Sequence, residues 1–145
     1  MKRNRGFTLV ELVIVVMILG ILVAIVLPRF VNVSEVATEN SVRASLTTIR
    51  EAIELHTAQK GELPGASDNT EATFKADLAP YIRAAFPACP VGPAQNSEVR
   101  ITTAPGLITG EPAPTKGWHY SVATGQFVVN SSGASGDGVT TYDEF

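Results

Sequence analysis

Two places near the start of this sequence have residue types and spacing that could do chemistry. One is the peptide bond between Gly6 and Phe7, where a small residue separates the basic leader Lys2, Arg3 and Arg5 from an apolar run. A cut there would remove the leader and leave Phe7 with a free amine. The other is Glu11, the only ionisable side chain among the 21 residues 7–27. An ionised carboxylate near a bilayer interior costs about 2.5–3.5 kcal/mol on insertion scales, so it persists where it finds a partner. The Phe7 amine would be such a cation, but on the same chain it lies only one helical turn away. The alternative is a Glu solvated at headgroup level, near a helix N-terminus where negative charge is mildly favoured.

The element that must position both groups is the apolar run itself. As an α-helix, residues 7–27 would extend roughly 31 Å, enough to cross the hydrocarbon core of a bilayer. The preceding basic residues place the N-terminus in the cytoplasm and the remainder outside. A secretory signal peptide would be cut after its apolar run, among small residues. Leu27-Pro28-Arg29-Phe30 is a poor site of that kind, and the small residue stands before the run, at Gly6.

The order Arg5-Gly6-Phe7-Thr8-Leu9-Val10-Glu11, then an apolar helix with Gly20 and Pro28, resembles the class III signal of type IV pilins and type II secretion pseudopilins. The resemblance covers about thirty residues. It implies cleavage between Gly6 and Phe7 by a prepilin peptidase and N-methylation of Phe7. It also implies that Glu11 meets a neighbouring subunit's terminal amine inside a filament, neutralising two buried charges and setting axial register. Gly20 and Pro28 stand where the family has helix-weakening residues that let the stalk stretch. Beyond the anchor, the family's pattern is an α+β pilin fold: a long N-terminal helix, half transmembrane and half amphipathic, packed on a small antiparallel β-sheet. The expected division is a leader over 1–6, a transmembrane and filament-core helix over 7–28, and an extracytoplasmic head over 29–145.

The chain has 145 residues, room for one small domain beyond the anchor. Loss of the leader leaves eight basic residues against fourteen acidic ones, which gives no electrostatic footprint for nucleic acid. Cys89 is alone, so no internal disulfide forms, and a packed thiol is the expectation. Many type IV pilins close a C-terminal loop with a disulfide, and its absence moves the resemblance toward pseudopilins.

Residues 7–60 read as one helix with a weak point near 24–28, because Pro28 lacks an N–H and its ring clashes with the Ala24 carbonyl. Further on, Val42, Leu46, Ile49 and Ile53 form an apolar stripe that should bury under a sheet. Glu39 and Arg43 have the spacing of an ion pair. His56 reads as a solvated or capping histidine, and Lys60-Gly61 as a helix stop. Residues 61–97 are rich in Pro, with Thr70 placed to cap a short helix over 71–79 that turns Phe74 and Leu78 inward. Strand signals follow at 98–102, 118–122 and 126–130, the last two joined by a loop containing Gly125. The phrase running from Gly117-Trp118-His119-Tyr120 to Thr124-Gly125-Gln126-Phe127 resembles the C-terminal hairpin of many pseudopilin-like proteins.

The sequence holds no catalytic constellation: two histidines, one cysteine, and no nucleophile-elbow, phosphate-loop or dinucleotide pattern. For His119 the strand alternation is explanation enough. The resemblance implies one cation site, since major pseudopilins bind calcium in their C-terminal loops, and here Asp137, Asp143 and Glu144 would supply oxygen atoms. The usual calcium-loop spacing is absent, so a solvated acidic tail is the default and no cofactor is expected.

The sequence thus points to a non-enzymatic filament subunit, a pseudopilin of a type II secretion-like system ahead of a surface pilin for adhesion, motility or DNA uptake. The implied partners are copies of itself in a helical filament, membrane lipid before assembly, the prepilin peptidase, and an inner-membrane assembly platform with its ATPase. The implied location is the inner membrane, then a periplasmic pseudopilus or an extracellular pilus. A rival of another class is an uncleaved single-pass membrane protein with a small ligand-binding domain.

Overall fold

The computed structural model describes residues 7–136 and 138–145, with side chains left undescribed at 27–34. Helix α1 runs Leu9–Lys60 and α2 runs Glu71–Leu78. Three strands follow, β1 Val99–Thr102, β2 Trp118–Ser121 and β3 Phe127–Val129, and a 3₁₀ turn spans Tyr142–Glu144. The chain divides into two compact units, Met1–Val36 and Ala37–Phe145.

In the first unit every described side chain from Phe7 to Val26 is exposed. Sixteen of them are large and apolar, from Phe7 at 84% exposure to Val26 at 43%. Among the described residues of this unit nothing covers this surface, although covering such a side chain is worth roughly 1.5–3 kcal/mol.

The second unit, the head, has a closed core. Val42, Leu46, Ile49 and Ile53 bury the stripe expected of α1. They meet Phe74 and Leu78 of α2 and the side chains of Trp118, Tyr120, Phe127 and Val129 from the sheet. Phe74 is the aromatic centre, 4.3 Å from Tyr120 and 6.1 Å from Phe127 between ring centroids. Thr70 caps α2, its hydroxyl accepting from the Thr73 N–H as its position suggests. Gly61 ends α1 at φ +77°, where a side chain would be strained, and its N–H bonds the Thr57 carbonyl.

The α+β arrangement is the expected one, but the sheet is mixed rather than wholly antiparallel. β2 and β3 pair antiparallel through a turn at Gly125, φ +74°. β1 pairs parallel to β2, with Val99 opposite Trp118 and Arg100 opposite His119. A parallel pair needs a long crossover, usually a helix; here it is the irregular segment 103–117. That segment crosses the sheet face turned away from the core. Ile108 is buried there, its N–H and C=O bonded to the Gln126 side chain, and the Thr109 carbonyl lies 3.0 Å from His119 Nδ1. Both faces of β2 are therefore covered and all four of its residues are buried.

The half-buried Arg50 ties α1 to β3 and to the chain's last turn. Its Nε and Nη2 donate to the Phe127 carbonyl at 3.1 and 2.9 Å, and Nη2 also donates to the Phe145 carbonyl at 2.6 Å. The expected ion pair between Glu39 and Arg43 is replaced by other partners. Glu39 accepts from the Gly136 N–H at 2.6 Å, and the Arg43 guanidinium lies 3.8 Å from the centre of the Phe145 ring.

Candidate processing and assembly site

The scissile bond expected after Gly6 lies at the edge of the described residues; Gly6 and the leader fall outside them. Phe7, the residue that would carry the new amine, is 84% exposed. Thr8 and Glu11 form a reciprocal cap on the first turn of α1. Thr8 donates to Glu11 Oε2 from its N–H at 2.9 Å and from its hydroxyl at 2.8 Å, while the Glu11 N–H donates to Thr8 Oγ1 at 3.2 Å. This is a capping box, in which two otherwise unpaired backbone N–H groups are satisfied by side chains three residues apart. Thr8-Leu9-Val10-Glu11 has the sequence spacing of such a box.

The box has a chemical consequence. One carboxylate oxygen of Glu11 already accepts two hydrogen bonds within its own chain. A carboxylate has capacity for about four, so the group can still take a cation. Gly20 lies in α1 and, apart from its own helix backbone and chain neighbours, no atom of the described residues lies within 4 Å of where a Cβ would stand. Packing within one subunit does not require glycine there. Pro28 lies in α1 among the residues whose side chains are not described.

Several other titratable groups are built into the head. Cys89 is buried and its thiol faces the Val91 carbonyl at 3.4 Å, the packed thiol expected; burial pushes its pKa up, and the hydrogen bond only partly opposes this. His56 is not solvated: it is 4% exposed and packs edge-on against Tyr81, because its helix face continues the apolar stripe. Burial also pushes the Tyr120 hydroxyl up. Asp143 Oδ2 accepts from the Gly110 N–H, and Glu144 Oε2 accepts from the Thr141 N–H. Asp137 lies outside the described residues. Among the described residues no three His, Cys, Asp or Glu side chains gather as metal ligands.

The geometry thus defines a class: a helix long and apolar enough to cross a membrane, Leu9–Val26, in a chain with a small α+β head. Comparison with known proteins narrows it. Residues 1–27 match the family model of the prokaryotic N-terminal methylation motif. Over 62 residues the chain is 45% identical to the type IV narrow pilus major component PilA5 of Thermus thermophilus, covering 43% of this chain and 53% of that protein. Over 84 residues it is 31% identical to the type II secretion system core protein G of Klebsiella pneumoniae, covering 57% and 60%. It is also 45% identical over 58 residues to the type IV major pilin protein PilA of Myxococcus xanthus, covering 40% and 24%. The matches span between 24% and 60% of the length of these relatives. No solved structure gives a significant match. The resemblance to type IV pilins and type II secretion pseudopilins is borne out, and the relatives' names are those of pilus and secretion components rather than enzymes.

Proposed function

We propose that this chain is a structural subunit of a type IV pilus-like filament, and specifically a pseudopilin of a type II secretion-like system. The observation that carries the reading is the fully exposed apolar surface of Leu9–Val26, behind a methylation motif and with Glu11 as its one ionisable group. A surface that no described residue of its own unit covers is suited to cover by lipid or by other chains. A filament subunit uses both in turn.

In this reading the helix first holds the precursor in the inner membrane with its N-terminus cytoplasmic. The peptidase cuts between Gly6 and Phe7 and the Phe7 amine is methylated. An assembly platform and its ATPase then lift the subunit, and neighbouring helices replace lipid around residues 9–26. Glu11 enters the filament with its capping bonds to Thr8 and gains the Phe7 amine of an adjacent subunit as counter-ion. Pro28 and Gly20 leave the stalk a soft segment. A growing filament in the periplasm would then push folded substrates outward.

A second reading, a surface pilin, is favoured by the 45% identity to two named pilus components. The lone Cys89 favours the secretion reading. One experiment addresses the filament function: shear and overexpression assays on wild type and Glu11→Ala, beside a membrane-fraction control and an intact-mass measurement. The expectation is a mature chain starting at Phe7 with one added methyl, and filaments lost on Glu11→Ala while insertion and cleavage persist. Glu11→Ala filaments at wild-type yield and length would remove the intersubunit pairing. A wild-type chain that keeps Met1 and forms no filament would remove the filament function altogether. Deleting the gene and scoring secreted proteins against surface pili separates the two filament readings.

A further inference from the structure

The crossover 103–117 supports itself poorly. It forms no strand, and of residues 103–109 only Ile108 is buried; Leu107 beside it is 90% exposed. Residues 104–110 are pinned at both ends. The Ser121 hydroxyl donates to the Ala104 carbonyl at 3.0 Å, and the Gly110 N–H donates to Asp143 Oδ2 at 2.8 Å. Between the pins, two side chains of the sheet region hold the segment. Gln126 accepts from the Ile108 N–H at 2.9 Å and donates its amide to the Ile108 carbonyl at 3.4 Å, while His119 Nδ1 meets the Thr109 carbonyl at 3.0 Å. A segment with one buried apolar side chain and no strand ladder opens more readily than a packed sheet.

The two nitrogens of His119 are treated unequally. A carbonyl can only accept, so Nδ1 carries the proton of the Thr109 bond and Nε2 carries the lone pair. Nε2 is buried with no hydrogen-bond partner among the described residues. Charged groups approach from three elements. Arg100 of β1 stands opposite His119 in the register, Glu111 of the crossover pairs with Arg100, and Asp143 of the last turn binds Gly110, one residue beyond Thr109. β3 presents Val128, opposite His119 and uncharged. With the crossover in place, a proton on Nε2 would create a buried cation whose new N–H has no acceptor, beside the charge of Arg100. Burying such a group costs far more than burying the neutral ring.

We propose that residues 104–109 form an acid-opened flap over the sheet face turned away from the core, with His119 as its trigger. Lifting the flap between its pins lets water reach the ring and accept from a protonated Nε2, so acid populates the open form. The closed head holds the His119 pKa below its usual value, chiefly through burial. The closed form thus binds the proton less readily, and opening is favoured as pH falls below about 6.5. The open form would uncover Ile108 next to the already exposed Leu107. The switch lies within the head and operates whether or not subunits assemble.

The test is hydrogen exchange on the full-length chain in detergent at about pH 7.5 and about pH 5, either side of the usual histidine range, with rates corrected for the pH dependence of the exchange chemistry. In wild type, protection over 103–110 should fall several-fold at the lower pH while residues 42–56 and 118–121 keep theirs. His119→Gln keeps an amide donor for the Thr109 carbonyl and should show equal protection of the flap at both values. A second variant leaves His119 in place. Gln126→Ala unclasps Ile108 and opens the flap at neutral pH, so ring-proton NMR should show His119 titrating closer to a solvated imidazole, because coupling between flap and proton is reciprocal. Equal wild-type protection at both pH values, or a loss shared by the whole sheet, would overturn the flap. Acid opening that survives in His119→Gln, or a His119 titration unmoved by Gln126→Ala, would overturn its trigger.

Discussion

Residues 9–26 and residues 42–56 belong to one helix and share a taste for Val, Leu and Ile, yet they meet opposite fates. In the first stretch all the described side chains are exposed; in the second Val42, Leu46, Ile49 and Ile53 are between 0% and 4% exposed. The difference lies in pattern rather than hydrophobicity. The second stretch confines its apolar residues to one stripe, so a single sheet and α2 can bury it. The first is apolar all round, and no one-sided partner can cover such a cylinder. The head therefore buries its own stripe, while the apolar helix, in the proposed function, depends on lipid or on other subunits. Changes in the anchor should act on processing and assembly, and changes in the head on folding.

The sharpest break of that division is at the proposed processing bond between Gly6 and Phe7. Gly6→Val should block cleavage outright while leaving membrane insertion unchanged, because the apolar helix is untouched. Intact mass should then begin at Met1, in the membrane fraction, with the head still folded by protease resistance. A variant that is cut normally would detach Gly6 from processing.

Next in size is the head core. Phe74 is fully buried and stacks on or near Tyr120, Phe127 and Phe86. Phe74→Ala should cost the head about 3–5 kcal/mol, from lost transfer energy and a residual cavity. Thermal unfolding of the full chain in detergent should show the loss, while membrane fractionation and cleavage at Gly6 stay as in wild type. Loss of cleavage along with head stability would mean the two regions are not independent.

How far the sequence disclosed this arrangement follows from the same contrast. The apolar cylinder, the stripe on α1, the Thr70 cap and the Gly61 stop were all legible, because each depends on residues within a few positions of one another. The direction of β1 was not. Alternation at 98–102 announces a strand but says nothing of its partner, and the parallel pairing depends on a crossover of irregular chain over 103–117. The same crossover hides the burial of His119, since it covers a sheet face that alternation assigns to solvent. His56 was misjudged because a histidine one turn beyond Ile53 extends an apolar stripe as readily as it ends one. The Thr8–Glu11 box is legible in the three-residue spacing of a hydroxyl and a carboxylate ahead of an apolar run.

A smaller effect sharpens the account of the head. Burial of His119 lowers its pKa from the usual 6.5; the Thr109 carbonyl opposes this and the Arg100 charge adds to it. Arg100 itself is paired with Glu111, so both signs of charge adjoin the imidazole. The folded state therefore binds its proton less readily than the unfolded chain does. Unfolding takes up a proton below about pH 6.5, so head stability should fall as pH drops through that value and be fully present above it. His119→Gln should flatten the slope between about pH 5 and 7, as read by urea midpoints. An unchanged slope would place the pH dependence elsewhere in the head.

The smallest expected effect separates the two jobs of Glu11. Its carboxylate both caps its own helix through Thr8 and, in the proposed filament, meets the amine of another subunit. Thr8→Ala removes the hydroxyl that bonds Oε2 and the Glu11 N–H, but keeps the carboxylate and its bond from the Thr8 backbone position. An N-cap of this kind is worth about 1 kcal/mol, and fraying of one turn at the edge of a membrane leaves the rest of the span intact. Thr8→Ala should therefore be inserted, cut and assembled, with filament yield reduced far less than by Glu11→Ala. The comparison is made in one shearing assay, with the membrane fraction as the control for expression. If Thr8→Ala is as defective as Glu11→Ala, the capping box itself is what assembly requires, and a contact within one chain replaces the contact between chains as the role of Glu11.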